Sequence, residues 1–457
     1  LNPPPKTNDA GRPADTLFPP GLGNAFSFAA FNALSFQIIL GSPMVLYAKT
    51  LQASATVLGI IAGMMPLLVI FQIPAANYID RIGYKKFVYG GWGIRVAFIF
   101  LMALVPLTGA FLNPTTRIAL MLALLFAFNL SRGISSSAWL PWITLLVPPS
   151  IRGRYVSLDA ACVQSGSFAT TVAAAFCLGA APSAWQFSVI FLFSGLMGAA
   201  SLTFLRQIPD VSIPQAARTS NVPVPYREMI RFPPFKKLLT QVCGWAVAYG
   251  GMTTFTVAFL KVEAGLNDRT ILLLTSASFI GGLGSLWLGR RLDRFGSKPI
   301  LLFCFSLCAL NLAGWTLLAG HIWPPSLWLV LLLQFSLGLL AALVNMANTR
   351  LAMVLIPEMG RNHFFAIYSV AMNVTLGLAP ILWGLFIDAF LWLSVEWRGF
   401  EFNRYSLFFA CVCLAFLGAI HLARRLDEPQ AGRMEELLHD ILVKSPQRFW
   451  LRLWPRN

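Results

Sequence analysis

Arg132 is the most expensively placed residue in this sequence. It stands about sixteen residues into an apolar run, 116–146, that holds no acidic side chain. A guanidinium there needs a counter-ion, water or an anionic ligand, and its planar fork suits bidentate contact with carboxylate or phosphate. Leu125, Asn129, Arg132, Ser136 and Trp139 step by 4, 3, 4 and 3, so they share one helical face. Gln334, Gly338, Ala341, Asn345 and Asn348 repeat those steps. Trp245, Tyr249, Thr253 and Thr256 form a third stripe, and Asn32 and Ser35 a shorter one, with Gln37 on another face. Such stripes either line a wet cavity or hydrogen-bond helices together. The two long stripes taken together favour the cavity. Arg132 then points to an anionic or carbonyl-rich ligand. The competing reading pairs it with Asp159 or with backbone carbonyls. Asp159, Asp388 and His363 are the titratable groups that could carry a coupled proton.

The elements that hold these residues are set by composition. Hydrophobic residues make up 57% of 457 and charged residues 11%, with mean hydropathy +0.69. Soluble domains carry about 25% charged residues, so lipid must solvate most of this chain. Twelve apolar runs reach the roughly 20 residues that a spanning helix needs. They cover 24–46, 55–79, 87–108, 116–146, 155–181, 184–206, 237–262, 270–288, 299–320, 325–356, 364–392 and 404–424. The alternation of a membrane barrel is absent, and helices are then the one way to satisfy the backbone in lipid. The expected fold is an all-α integral membrane protein.

Basic residues mark the cytoplasmic side of such proteins. An even span count puts both termini on one side. That side holds 25 of the 34 Lys and Arg, the other six, while Arg95, Arg132 and Arg350 lie inside spans. Both termini are therefore expected in the cytoplasm. The net charge of +16 reads as topology and lipid contact, not as a nucleic-acid footprint.

The six-and-six division falls at 207–236, a polar segment with six prolines. The halves repeat each other. Asn77-x-x-Asp80-Arg81-x-Gly83-x-Lys85-Lys86 follows span 2, and Gly289-x-x-x-Asp293-Arg294-x-Gly296-x-Lys298 follows span 8. Asp, Arg, Gly and Lys match at an offset of 213. Pro148 with Arg152, and Pro357 with Arg361, match at 209. Parallel repeats point to a transporter architecture with its site between the halves.

The paired Asp-Arg-x-Gly-x-Lys loops resemble the cytoplasmic signature of the major facilitator superfamily, which follows helix 2 and recurs after helix 8. The second copy matches in full. The first has Asn77 where the family usually has Gly. The resemblance covers nearly the whole chain. It implies twelve transmembrane helices in two pseudo-symmetric six-helix halves, a central cavity lined by helices 1, 4, 7 and 10, and alternating access. It also implies that Asp80 faces the start of helix 11 and Asp293 the start of helix 5. Arg81, Arg294, Lys85 and Lys298 would complete the charge network, and Gly83 and Gly296 would permit the tight turns. On that basis Asp80→Asn should lower transport without affecting membrane insertion; unchanged transport rates would sink the assignment. The expected cavity residues are Asn32, Asn129, Arg132, Ser136, Tyr249, Gln334, Asn345 and Asn348.

Two antiporter signatures of the family are missing. Asn129-x-x-x-Gly133 stands where Arg-x-x-x-Gly would be expected, and span 5, with Asp159, Gln164, Gly166 and Ala175, lacks Gly-Pro-x-x-Gly-Gly. Uniport and coupling to a proton or sodium ion both stay open. The expected organisation is a disordered tail at 1–20 with no cleavable signal peptide, half-bundles at 21–206 and 237–426, the central loop 207–236, and an amphipathic tail at 427–457. In that tail Met434, Leu437, Leu438, Ile441 and Leu442 share one face, and aromatic and basic residues mingle beyond Pro446, as at a membrane interface.

The seven cysteines all lie in apolar runs, where buried inert thiols are the plain reading. The four scattered histidines give no metal-site spacing and no catalytic set, and no Gly-rich phosphate loop appears, so neither metal, cofactor nor ATP is expected. The sequence reads as a monomeric transporter of a small solute, not an enzyme, in a plasma membrane, most simply a bacterial inner membrane. The competing reading is a non-transporting sensor or assembly factor of the same fold. Retention of both signature loops favours transport.

Overall fold

A computed structural model describes residues 18–147, 152–211, 226–292, 296–356 and 361–428. Among these residues twelve helical segments are long and apolar enough to cross a membrane. Spans 1 to 6 are Gly23–Thr50, Ala55–Ala75, Tyr84–Ala110, Pro114–Leu146, Tyr155–Leu178 and Ala184–Gln207. Spans 7 to 12 are Pro233–Val262, Asp268–Leu286, Ser297–Ala319, Leu327–Leu355, Phe364–Ala389 and Arg404–Arg424. Twelve crossings return the chain to the face where it began, called here the terminal face. Local chemistry fixes the ends. Asn113 Oδ1 accepts from Thr116 N–H at 2.8 Å with Pro114 opening the helix. Asn403 Oδ1 accepts from the amides of Tyr405 and Ser406 at the start of span 12.

The halves are built alike. Span 1 packs on spans 5 and 6, and span 3 on spans 4 and 6; span 7 packs on 11 and 12, and span 9 on 10 and 12. The halves meet along two equivalent pairs, span 2 with span 11 and span 5 with span 8. Both signature turns also repeat. Gly83 (φ 87°) opens span 3 and Gly296 (φ 83°) opens span 9, in a backbone region that glycine alone enters freely. Spans 1 and 7 are each broken part-way along their length. Span 1 stops at Leu40 and restarts at Ser42, across extended Gly41. Span 7 stops at Tyr249 and restarts at Met252, across Gly250 and left-handed Gly251 (φ 85°). Gly41 and Gly250 are 209 residues apart, one of the offsets of the sequence repeat.

The fold is not wholly helical. Strands β1 (Ser394–Trp397) and β2 (Phe400–Asn403) form an antiparallel hairpin between spans 11 and 12. Its two-residue turn, Arg398-Gly399, has φ of 52° and 81°, as a tight primed turn requires. The Phe400 ring fills the space beside Gly320. The all-α membrane fold stands with this one small hairpin in a loop, and span 11 ends at Ala389 rather than running to 392. Alternation in Ser-Val-Glu-Trp-Arg-Gly-Phe-Glu-Phe-Asn was the overlooked signal.

Candidate functional site

A cavity of about 330 Å³ lies between the halves. Span 1 contributes Gln37, Leu40, Gly41, Ser42 and Val45, on both sides of its break. Span 5 contributes Gln164. Span 7 contributes Tyr249, Thr253 and Thr254, beside its own break. Span 8 adds Thr275, Ser278 and Phe279. Span 10 adds Gln334, Leu337, Gly338, Ala341, Ala342 and Asn345. Among these lining residues none carries a charge. The Tyr249 ring is stacked on Trp245 at 5.3 Å and 9°, which fixes its orientation. Gln334 is 2% exposed, and its Nε2 has no hydrogen-bond partner among the described residues.

Of the expected cavity residues, Tyr249, Gln334 and Asn345 line this space. The stripe Gln334, Gly338, Ala341 and Asn345 lies along it as a helical face should. Asn348 leaves it: the residue is buried, and its Oδ1 accepts from Gln241 Nε2 at 3.2 Å, joining span 10 to span 7. Asn32 is half-buried and absent from the lining. The face used by span 1 is that of Gln37, while Ser35 faces span 6, where Ser194 Oγ donates to its carbonyl at 2.7 Å.

Span 4, expected beside spans 1, 7 and 10, supplies no residue to the lining of this cavity. Its polar stripe faces spans 2 and 3. At Gly133 the helix comes so close to span 2 that a Cβ would sit 2.2 Å from Leu68 O. Ser136 Oγ accepts from Gln72 Nε2 at 2.7 Å. Asn129 is buried and donates to Leu125 O at 2.9 Å within its own helix. Arg132 is half-buried on the same helix and outside the cavity lining. The nearby Arg95 is 3% exposed, with its guanidinium 4.7 Å from the Trp92 ring and 5.0 Å from the Phe128 ring, a cation–π setting. With Arg132 elsewhere, the residue that motivated an anionic ligand is not in this cavity.

Asp388, at the end of span 11, crosses between the halves. Its carboxylate accepts from the amides of Ala55 (3.0 Å) and Thr56 (2.7 Å) and from Thr56 Oγ1 (2.6 Å) at the first turn of span 2. A carboxylate at a helix N-terminus meets unpaired N–H groups and the positive end of the helix dipole. Further contacts between halves lie on the same side. The Arg269 amide donates to Gly179 O at 2.9 Å. Span 2 glycines touch span 11: a Cβ at Gly59 would lie 2.2 Å from Pro380 O and one at Gly63 2.3 Å from Gly377 O. These contacts join the halves around the connections that follow spans 1, 5, 7 and 11. Asp159 is half-buried on span 5 and outside the lining.

Of the signature loops, Asp293 and Arg294 lie outside the described residues, as does the side chain of Asp80. His363 is likewise a residue whose side chain is not described. Arg81 is exposed and Lys85 half-buried. Lys298 is tied to the end of the bundle. Its Nζ donates to Leu426 O at 2.7 Å, and its amide and that of Ser297 donate to Glu428 (2.7 and 2.9 Å). Lys237, at the start of span 7, pairs with Asp427. That partner holds the Asp427 carboxyl below its ordinary range. The tail expectation beyond Glu428, and residues 1–17, lie outside the described residues. The seven cysteines are free thiols. Sequence reasoning passed over Gln37 and missed Ser42, Thr275, Ser278 and Phe279. Only Thr275 and Ser278, three residues apart in an apolar run, left a legible signal.

Twelve spans in two equivalent halves, with interrupted helices around a cavity between them, define a multi-pass membrane protein of the transporter class. The chain belongs to the major facilitator superfamily, whose family model matches residues 23–321 and 270–454. That family consists of transporters rather than enzymes. No curated protein sequence matches this chain as a relative. Solved structures share its fold. A mutant form of the nucleoside transporter NupG superposes with TM-score 0.69 at 12% identity, over 89% of this chain and 100% of that one. A D-xylose–proton symporter does so with TM-score 0.67 at 14% identity, over 90% and 98%. The xylose transporter XylE from E. coli, in an inward open conformation, gives 0.62 at 13% identity, over 91% and 97%.

Proposed function

We propose that this protein carries a small solute across the membrane by alternating access. The moving bodies are residues 21–206 and 237–426, rocking about the cavity, with 207–236 as their tether. The observation that carries this reading is a cavity between the halves, lined by residues of both; in this reading the polar and small-residue contacts beside it form the closed gate on the face opposite the termini. Retention of both signature loops in the sequence favours transport over a sensor or assembly factor of the same fold. The density of basic residues makes the terminal face cytoplasmic, so the closed face looks outward and the cavity is reached from inside. The protein works as a monomer in a plasma membrane, most simply a bacterial inner membrane. In this reading Asp388 acts first as an outer latch. If a proton is coupled, protonation of Asp388 would release span 2, and Asp159 is the other candidate.

The test uses the Asp388→Asn variant. A hydrogen bond to a charged group contributes about 1.5–3 kcal/mol, so losing the charge should shift the balance of states roughly tenfold or more. A single cysteine at position 345, in protein whose seven native cysteines are replaced, is labelled with a membrane-impermeant thiol reagent. Labelling from the closed face should rise several-fold in Asp388→Asn. Labelling that comes from one face alone, in both proteins, would refute alternating access.

A further inference from the structure

We infer that the solute is neutral and rich in hydroxyl groups, and that Gln334 is a specificity-determining residue for it. The inference rests on the transport reading, and it concerns what the cavity holds. At about 30 Å³ per water, a 330 Å³ cavity has room for about eleven waters, which suits a small solute. The lining has no charged side chain, and Arg132, Asp159 and Asp388 all lie outside it. A charged solute would lose its hydration there and gain no counter-charge, which is strongly unfavourable.

The lining has a definite hydrogen-bonding character. Gln37, Gln164, Gln334 and Asn345 come from three spans in both halves, and their side chains have no hydrogen-bond partner among the described residues. Each amide sets a donor beside an acceptor. A carboxylate or phosphate only accepts, so it would leave every amide oxygen unpaired. Hydroxyl groups donate and accept, and so match both ends. Tyr249, immobilised by its stack on Trp245, and Phe279 supply flat apolar walls for the C–H face of a ring. Gln334 is the most deeply placed of the four amides. Its buried Nε2 lacks a partner, and a half-turn of the amide exchanges nitrogen and oxygen, so either end can be offered to a bound hydroxyl. A site built on such groups discriminates strongly against analogues that leave them unpaired. Sugars and nucleosides share this chemistry.

The experiment is ligand-induced thermal stabilisation of the purified full chain, with matched probes at equal concentrations: glucose against glucuronate, xylose, and uridine against uridine monophosphate. A ligand that binds the folded state raises its melting temperature by mass action. The expected result is dose-dependent stabilisation by at least one neutral probe and none by its charged counterpart. The sugar and nucleoside arms identify the source. Gln334→Leu should weaken the apparent affinity at least tenfold. If that variant does not fold, Gln334→Asn gives the same reading. A charged probe that binds as well as its neutral partner would overturn the neutral class, and so would a panel in which nothing binds. An unchanged affinity in the Gln334 variants would overturn the role of that residue. None of these failures touches the transport reading, which the two-sided labelling of position 345 judges separately.

Discussion

Replacing Gly59 by leucine should abolish transport while leaving a folded, inserted protein. Spans 2 and 11 belong to different halves and touch backbone to backbone. A Cβ at Gly59 would lie 2.2 Å from Pro380 O and 3.0 Å from Ile381 Cα, and neither atom is the movable end of a side chain. From the other side, a Cβ at Gly384 would meet Ala55 O at 2.4 Å. A leucine side chain therefore acts as a wedge in the state seen here and has nothing to strike once the halves part on that face. Each half keeps its own packing, so the cost falls on one conformation rather than on folding. A steric cost of only about 3 kcal/mol already depletes that state more than a hundredfold. Uptake into proteoliposomes and the melting temperature, measured together, check this. The expected outcome is turnover down at least a hundredfold with a melting temperature within a few degrees of wild type. Normal turnover would show that the contact never needs to form.

A glycine in an equally tight place should behave in the opposite way. Gly338 packs on span 8 within one half. A Cβ there would lie 1.9 Å from Ser278 O, and a Cβ at Gly281 would lie 2.1 Å from Phe335 O. This reciprocal approach is how membrane helices gain close packing from small residues. No transport step separates spans 8 and 10, so Gly338→Leu has no conformation in which to relax. Overpacking costs about 1–3 kcal/mol in forgiving cores and more where backbone atoms are struck. The expected result is loss of monodisperse protein on size-exclusion chromatography, or a melting temperature lowered by more than about 10 °C, on the order expected for several kcal/mol. A stable Gly338→Leu protein would contradict the helix pairing described here.

What the residues disclosed in advance follows from the physics of each signal. Spans were legible because twenty apolar residues in a row have one stable form in lipid. The repeat was legible because Gly83 and Gly296 must take the same left-handed turn. The stripe from Gln334 to Asn345 was legible because span 10 is one unbroken helix, Leu327–Leu355, along which period counting holds. Counting failed where the helix does not run on: the break at Gly41 hid the lining role of Ser42 and Val45. Asn32 and Gln37 stand five residues apart on the unbroken helix Gly23–Leu40 and so on different faces, and spacing alone did not say which face meets the cavity. Span 4 misled for another reason. A polar stripe says that a helix avoids lipid there, but not which neighbour it meets, and Gly133 lets span 4 close on span 2 instead. Arg132 fits that arrangement, and the rings around Arg95 were a local cation–π setting that spacing alone does not reveal. The hairpin at 394–403 was hidden by an Arg-Gly turn, which lacks the familiar asparagine.

The most direct test of the two-body account is a pair of distance measurements by double electron–electron resonance. One label pair sits on the face opposite the termini, at the exposed positions Thr115 and Pro325, and the other on the terminal face, at the exposed positions Lys86 and Arg424. On going from wild type to Asp388→Asn, the first pair should gain a longer-distance population while the second gains a shorter one. Two distances that stay single and unchanged, or that lengthen together, would contradict the two-body account.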